Sequence, residues 1–231
     1  MPNLTNYVWL MVFTPIFAVV LIGLLGMVLF MDPGTVKESV INVETGRPKT
    51  LYDIVTAVPP GKQNEYCIDC EIACPAWTKH CKLCDHCYKD MDHHCLFLLK
   101  CIAENNHVYF VWFIMACVVS MVTFVLSVRC YCQLLYSLAL GETLLLLFHT
   151  DGWLFSLTIL NSISVFWGVQ LLYFQLNIIS KGYTTYFQPR DNIDILTASE
   201  KFMNVLCFLL KRKSYIENPM LKQEQQLYYN V

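Results

Sequence analysis

Residues 67–101 read CIDCEIACPAWTKHCKLCDHCYKDMDHHCLFLLKC and hold eight cysteines and four histidines. No hydrophobic periodicity runs through this stretch. Tight Cys-x-x-Cys turns take its place, so metal must supply the cohesion that a core cannot. Cys67-x-x-Cys70 and Cys84-x-x-Cys87 are spaced as thiolate pairs that hold one side of a tetrahedral zinc, and His80-Cys81-x-x-Cys84 interleaves with them. Two four-coordinate sites need eight ligands. Cys67, Cys70, His80, Cys81, Cys84, Cys87 and Cys101 supply seven, and one histidine of the His93-His94 pair completes the set. Spacing alone does not say which ligand serves which ion. Cys74 reads as a bystander thiol and His86 as an exposed loop histidine.

Cys95 is the thiol left over. A cysteine nucleophile needs a base that lowers its pKa and a third group that orients the base. In Asp92-His93-His94-Cys95 the carboxylate can fix the tautomer of one imidazole, which then takes the proton of Cys95 while the other imidazole ligates metal. The competing reading makes these four residues metal ligands only.

A hydrophobic fraction of 56% over 231 residues argues against a soluble globule, and a net charge of -2 gives no pointer to nucleic acid. Residues 8–30, 108–128 and 153–179 lack charged side chains. Each is long enough for a bilayer core, which takes about 20 apolar helical residues. Of 16 Lys and Arg, all but Arg129 lie in 31–107 or after 179. The positive-inside rule therefore places the cysteine segment and the C-terminal tail in the cytosol. Leu134 to Phe148 is apolar too, but it is short and contains Glu142, so it reads as a luminal or interfacial piece. Cytosolic cysteines stay reduced, which favours metal binding or catalysis over disulfides. Cys117, Cys130, Cys132 and Cys207 read as small apolar residues or passive lipidation sites.

The expected fold is an all-α transmembrane helix bundle of about three spans with a small cytosolic zinc-bound cysteine-rich domain. Residues 1–31 form the first helix and 32–66 a cytosolic linker opened by Asp32-Pro33-Gly34 and broken again at Pro59-Pro60-Gly61. Residues 67–107 form the cysteine-rich domain, 108–130 the second helix, 131–152 a luminal loop, 153–179 the third helix and 180–231 a cytosolic tail. In the tail, Phe202 to Leu210 followed by Lys211-Arg212-Lys213 reads as a short helix, lying either on the membrane or packed in the cytosolic domain. No internal repeat is read from the sequence.

The string Cys67-x2-Cys70-x9-His80-Cys81-x2-Cys84-x2-Cys87-x4-Asp92-His93-His94-Cys95-x5-Cys101 resembles the cysteine-rich domain of the DHHC protein S-acyltransferases (palmitoyltransferases). Asp32-Pro33-Gly34, Asn106 with Phe110, and Thr184-Thr185 resemble further motifs of that family. Asn105 to Phe110 with Asp151-Gly152-Trp153 is most similar to its ankyrin-repeat branch, without the repeats. The resemblance implies two structural zinc ions, one on Cys67, Cys70, His80 and Cys87, the other on Cys81, Cys84, His94 and Cys101. It implies that Cys95 takes a fatty acyl group from palmitoyl-CoA and passes it to membrane-associated substrate proteins with cytosolic cysteines. His93 would be the base, Asp92 its orienter, and the acyl chain would lie among the transmembrane helices in contact with membrane lipid. Golgi or endoplasmic reticulum residence is the family's habit.

The sequence also departs from the family. Leu96-Phe97 stand where Pro-Trp is usual, Lys100 where Asn is usual and Ala103 where Gly is usual. Cys74-Pro75-Ala76-Trp77 lacks the basic residues expected around its proline, and Phe187 replaces the glutamate of Thr-Thr-x-Glu. Family members typically have a further span before the Asp-Pro-Gly helix, which points to a truncated product or a shortened lineage. The departures support an alternative reading, a catalytically weak or inactive zinc-binding membrane scaffold. A metal-handling membrane protein is disfavoured by the lack of ionisable residues within the spans.

Overall fold

The computed structural model describes residues 8–39, 41, 46–52, 66–75, 77–136, 140–188 and 196–211. The break at Pro59-Pro60-Gly61 and the basic pair Arg212-Lys213 lie outside them. The chain divides into two compact units, residues 1–26 with 111–174 and residues 27–110 with 175–231.

The first unit is helical. It takes most of α1 (Val8–Phe30), α2 (His107–Tyr136) and α4 (Gly152–Ser180), and all of α3 (Leu140–Thr150). Val12–Phe30, His107–Gln133 and Gly152–Ser180 are long and apolar enough to cross a membrane. Several of their polar side chains turn back onto their own helix. Thr123 donates to Val119 O at 2.8 Å, Thr158 to Leu154 O at 2.7 Å and Asn161 to Leu157 O at 2.9 Å. Such bonds hide hydroxyl and amide groups that hydrocarbon cannot solvate.

The expected loop over 131–152 contains α3, with Glu142 in its first turn, where the helix dipole favours an acid. Its 11 residues are too few to cross a bilayer. Leu147 instead packs with Val128 and Cys132 of α2 and with Leu154 and Phe155 of α4. Asp151 Oδ1 then accepts the Leu154 N–H at 3.0 Å and caps α4.

α2 and α4 approach closely at Gly168, where an added Cβ would lie 2.8 Å from Val118 Cγ2. Overpacking of this kind costs about 1–3 kcal/mol. Gly168→Ala is therefore expected to lower the thermal midpoint of the detergent-solubilised protein, and Val118→Ala added to it should recover part of the loss. An unchanged midpoint in the single variant would contradict this packing.

The second unit is built on short antiparallel strands. β1 (Thr35–Val36), β5 (His86–Lys89) and β4 (Thr78–Cys81) form one sheet. β2 (Tyr66–Cys67) pairs β3 (Ile72–Ala73), and β6 (His93–Cys95) pairs β7 (Lys100–Ile102). The expected linker therefore begins with a strand of the cysteine-rich domain. Asp32-Pro33-Gly34 puts it there. Asp32 Oδ1 accepts Gly34 N–H and Thr35 N–H at 2.8 Å each and Thr35 Oγ1 at 2.9 Å. Gly34, at φ 114°, offers its carbonyl to Lys89 N, and Pro33 O accepts from Asn105 N.

Three hairpins share one design, a repeat missed in the sequence. Cys67 faces Ile72, Cys81 faces His86 and Cys95 faces Lys100, each across a four-residue tip. Each tip turns through a left-handed residue at the same place, Glu71, Asp85 and Leu99, at φ 55°, 55° and 50°. The apolar core beneath is small, made of Tyr88, Met91 and Ala103 with Cys81 and Cys101.

The tail contributes α5 (Ala198–Leu209), opened by a capping box between Thr197 and Glu200. It packs within this unit. Asn204 Nδ2 donates to Ser180 O at 2.9 Å, and Phe208 meets the His107 ring at 4.9 Å.

Candidate functional site

The hairpins gather the cysteines and histidines into two tetrads, Cys67, Cys70, His80 and Cys87, and Cys81, Cys84, His94 and Cys101. In the first, His80 Nδ1 lies 3.5, 3.3 and 3.8 Å from the sulfurs of Cys67, Cys70 and Cys87. In the second, His94 Nδ1 lies 3.5, 3.3 and 3.5 Å from those of Cys81, Cys84 and Cys101. A tetrahedral zinc separates sulfur from nitrogen by about 3.6 Å and sulfur from sulfur by about 3.8 Å. Cys70 and Cys87 sulfurs are 3.7 Å apart, Cys84 and Cys101 sulfurs 3.5 Å. The residues thus fit a zinc in donor type, count and spacing.

None of the twelve cysteines is in a disulfide. Burial, and then the neighbouring thiols, push Cys87 and Cys101 far above the usual thiol range. A cation is what allows such groups to ionise together. Behind the first tetrad, His80 Nε2 faces Asp69 and Asp85 carboxylates at 3.7 Å each, the outer-shell arrangement of a ligating imidazole. Cys74 is buried and outside both tetrads, and His86 bonds Cys84 O on the surface.

The third hairpin explains why one thiol stays free. Leu98 stands where the other two hairpins have Cys70 and Cys84, so Cys95 has no paired thiol on its own turn. The turn still aims amides at the sulfur. Cys95 receives the N–H groups of Leu98 and Phe97, as Cys67 receives that of Cys70 at 3.4 Å. Burial raises the Cys95 pKa, but its hydrogen bond to His93 and these amides outweigh burial and hold it below the usual thiol value. Burial likewise lowers His93, yet bonds to Asp92 and Cys95 raise it to about 9.

Asp92 anchors this pair from a buried position. Its Oδ2 accepts His93 Nδ1–H at 2.7 Å and Gln175 Nε2–H at 3.1 Å, and its Oδ1 accepts the Thr185 N–H at 2.6 Å. His107 Nε2 bonds Gln175 Oε1 at 2.9 Å. Burial would raise the Asp92 pKa, but the His107 ring, His93 and the Thr185 amide together hold it well below the usual carboxylate range. Thr184 Oγ1 donates to Met91 O at 2.9 Å, and Phe110 meets the His93 ring edge-on at 5.2 Å. Asn106 closes the segment by accepting from Ala103 N and donating to Cys101 O.

The structure thus brings Asp92, His93 and Cys95 together and sorts His94 into a tetrad. Gln175 and His107 are residues whose part the sequence reading missed. Their only signal was a polar side chain near the end of an apolar span.

A match to the DHHC palmitoyltransferase family model covers residues 61–191. The chain belongs to the DHHC palmitoyltransferase family. It is 28% identical to palmitoyltransferase akr1 of Neurospora crassa over 161 residues, 67% of this chain and 22% of that protein. It is 31% identical to palmitoyltransferase SWF1 of Saccharomyces cerevisiae over 60% of this chain and 37% of that one. With protein S-acyltransferase 10 of Arabidopsis thaliana it shares 40% identity over 32% of this chain and 25% of that one. The chain spans about a fifth of the length of the akr1 relatives it matches.

Two departures from the family's pattern meet in space. Trp77, where a basic residue is usual, and Phe187, where glutamate is usual, pack edge to face at 5.4 Å. An aromatic contact holds the segment after α4 where opposite charges are expected to stand. Such pairs contribute about 0.5–1.5 kcal/mol beyond buried area. Trp77→Arg and Phe187→Glu should each lower the thermal midpoint, while the double variant recovers part of the loss. Strictly additive effects would show that the two positions are independent.

Proposed function

We propose that the chain is a protein S-acyltransferase working through a Cys95 thioester. The observation that carries this reading is a thiol outside both tetrads, hydrogen-bonded to a histidine that a buried carboxylate holds. Family membership and the palmitoyltransferase names of the relatives support it. With the Cys95 thiol lowered and His93 raised to about 9, each partner favours the proton on the imidazole and the negative charge on the sulfur.

Cys95 Sγ attacks the thioester carbonyl of palmitoyl-CoA, forming a new C–S bond. The CoA sulfur leaves and takes the proton from His93. A cysteine of the substrate protein then gives its proton to His93 and attacks the Cys95 thioester, which releases the Cys95 thiolate. Asp92 holds the imidazole in one orientation through both halves. Residues 67–107 form the catalytic domain in this reading, and burial of the acyl chain among apolar helices is favourable by about 0.8 kcal/mol per CH₂. The distribution of basic residues supports a site and tail on the cytosolic face, and family habit supports the Golgi or endoplasmic reticulum. The long alignment with the akr1 protein of Neurospora crassa supports a place near the ankyrin-repeat branch.

Purified protein given labelled palmitoyl-CoA should acquire a hydroxylamine-sensitive label that Cys95→Ser abolishes. An unlabelled parent with full metal content would favour the inactive scaffold, the reading that Leu96-Phe97 and Phe187 suggest. Each tetrad is expected to hold one zinc, so metal analysis should return about two per chain. Cys87→Ala should reduce that to about one, and a parent without zinc would contradict the assignment.

A further inference from the structure

The three hairpins share a shape, but their tips differ in chemistry. The first tip is Ile68-Asp69-Cys70-Glu71 and the second Lys82-Leu83-Cys84-Asp85, each with one exposed apolar side chain among charged ones. The third, Leu96-Phe97-Leu98-Leu99, has no polar side chain, and Leu96, Phe97 and Leu99 are 72%, 89% and 79% exposed. A contiguous exposed apolar patch beside polar neighbours marks a surface that meets another apolar phase.

The base of that hairpin indicates which phase. Lys100, paired with Cys95 and next in the chain to Leu99, donates its ammonium to Leu29 O and to Met31 O, the latter at 2.7 Å. These carbonyls close the span Val12–Phe30, whose last residue, Phe30, is itself 87% exposed. The hairpin is therefore tied to the level at which an apolar span leaves hydrocarbon. Its lysine sits with its charge at the boundary, as snorkelling lysines do.

We propose that Leu96, Phe97 and Leu99 insert into the interfacial layer of the bilayer and hold Cys95 at its surface. The partner is lipid, reached by continuity with the span. In the family such a tip begins Pro-Trp and is followed by Asn; here Leu-Phe and Lys100 form an anchor of apolar residues with one cation at its base. The assignment does not depend on the transfer chemistry.

Quenching of a tryptophan placed on the tip tests it. Phe97→Trp and, as the control on an equivalent tip, Leu83→Trp are made in the full chain and reconstituted in phosphatidylcholine vesicles without acyl-CoA. Emission of the parent is subtracted. Trp added at position 97 is expected to be quenched several-fold more by lipids brominated along their acyl chains than by aqueous iodide, and that at 83 the reverse. Equal iodide quenching at the two positions overturns the proposal. So does shielding of position 97 from both quenchers, which would mean that protein covers the tip. Metal content equal to the parent's confirms each variant's fold, and Leu99→Trp serves if Phe97→Trp loses metal.

Discussion

A buried carboxylate is expensive unless every oxygen is paired, and Asp92 is the point on which the second unit turns. Its partners come from three separate segments: His93 beside it, Gln175 near the end of α4 and Thr185 in the segment that follows. Meeting the demands of one side chain therefore brings the hairpin that carries Cys95 into register with the end of a long helix. Met91 repeats the tie through its carbonyl to Thr184. The imidazole that Asp92 orients is then the one that faces the thiol.

The second tetrad works on the same hairpin from the other side. His94 and Cys101 face each other across β6 and β7, so two members of the tetrad and Cys95, the proposed nucleophile, share one pair of strands. Alternation along β6 separates their tasks, since neighbouring residues of a strand point to opposite faces. That is why His93 and His94, adjacent in the chain, end in different chemistry.

Much of this was legible in the sequence. Three apolar segments of bilayer length and eight ligands at tight spacing fix the helices and the cysteine-rich region, because both signals are local. The partition of ligands between tetrads was not local. Each tetrad joins residues of successive hairpins, so spacing does not sort them, and the two groups came from the family resemblance instead. The hairpin repeat escaped notice because Leu98 replaces a cysteine, and a motif read by its ligands disappears when the ligand does. Thr35-Val36 looked like linker because two residues carry no periodicity. Gln175 read as an interruption of an apolar span and His107 as the residue before one, since a partner such as Asp92, distant in sequence, leaves no trace near them. The departures Trp77 and Phe187 looked like two separate losses until their contact made them one exchange.

The shared strand pair has a consequence for redox chemistry. Cys84 is only partly buried, and it stands in the proposed zinc tetrad with His94 and Cys101. An oxidant that converts this sulfur to a sulfenic acid removes a ligand and loosens the strands that carry Cys95. The nucleophile would then lose its geometry without being touched, and a reductant with fresh metal, rather than a new acyl donor, would be what restores it.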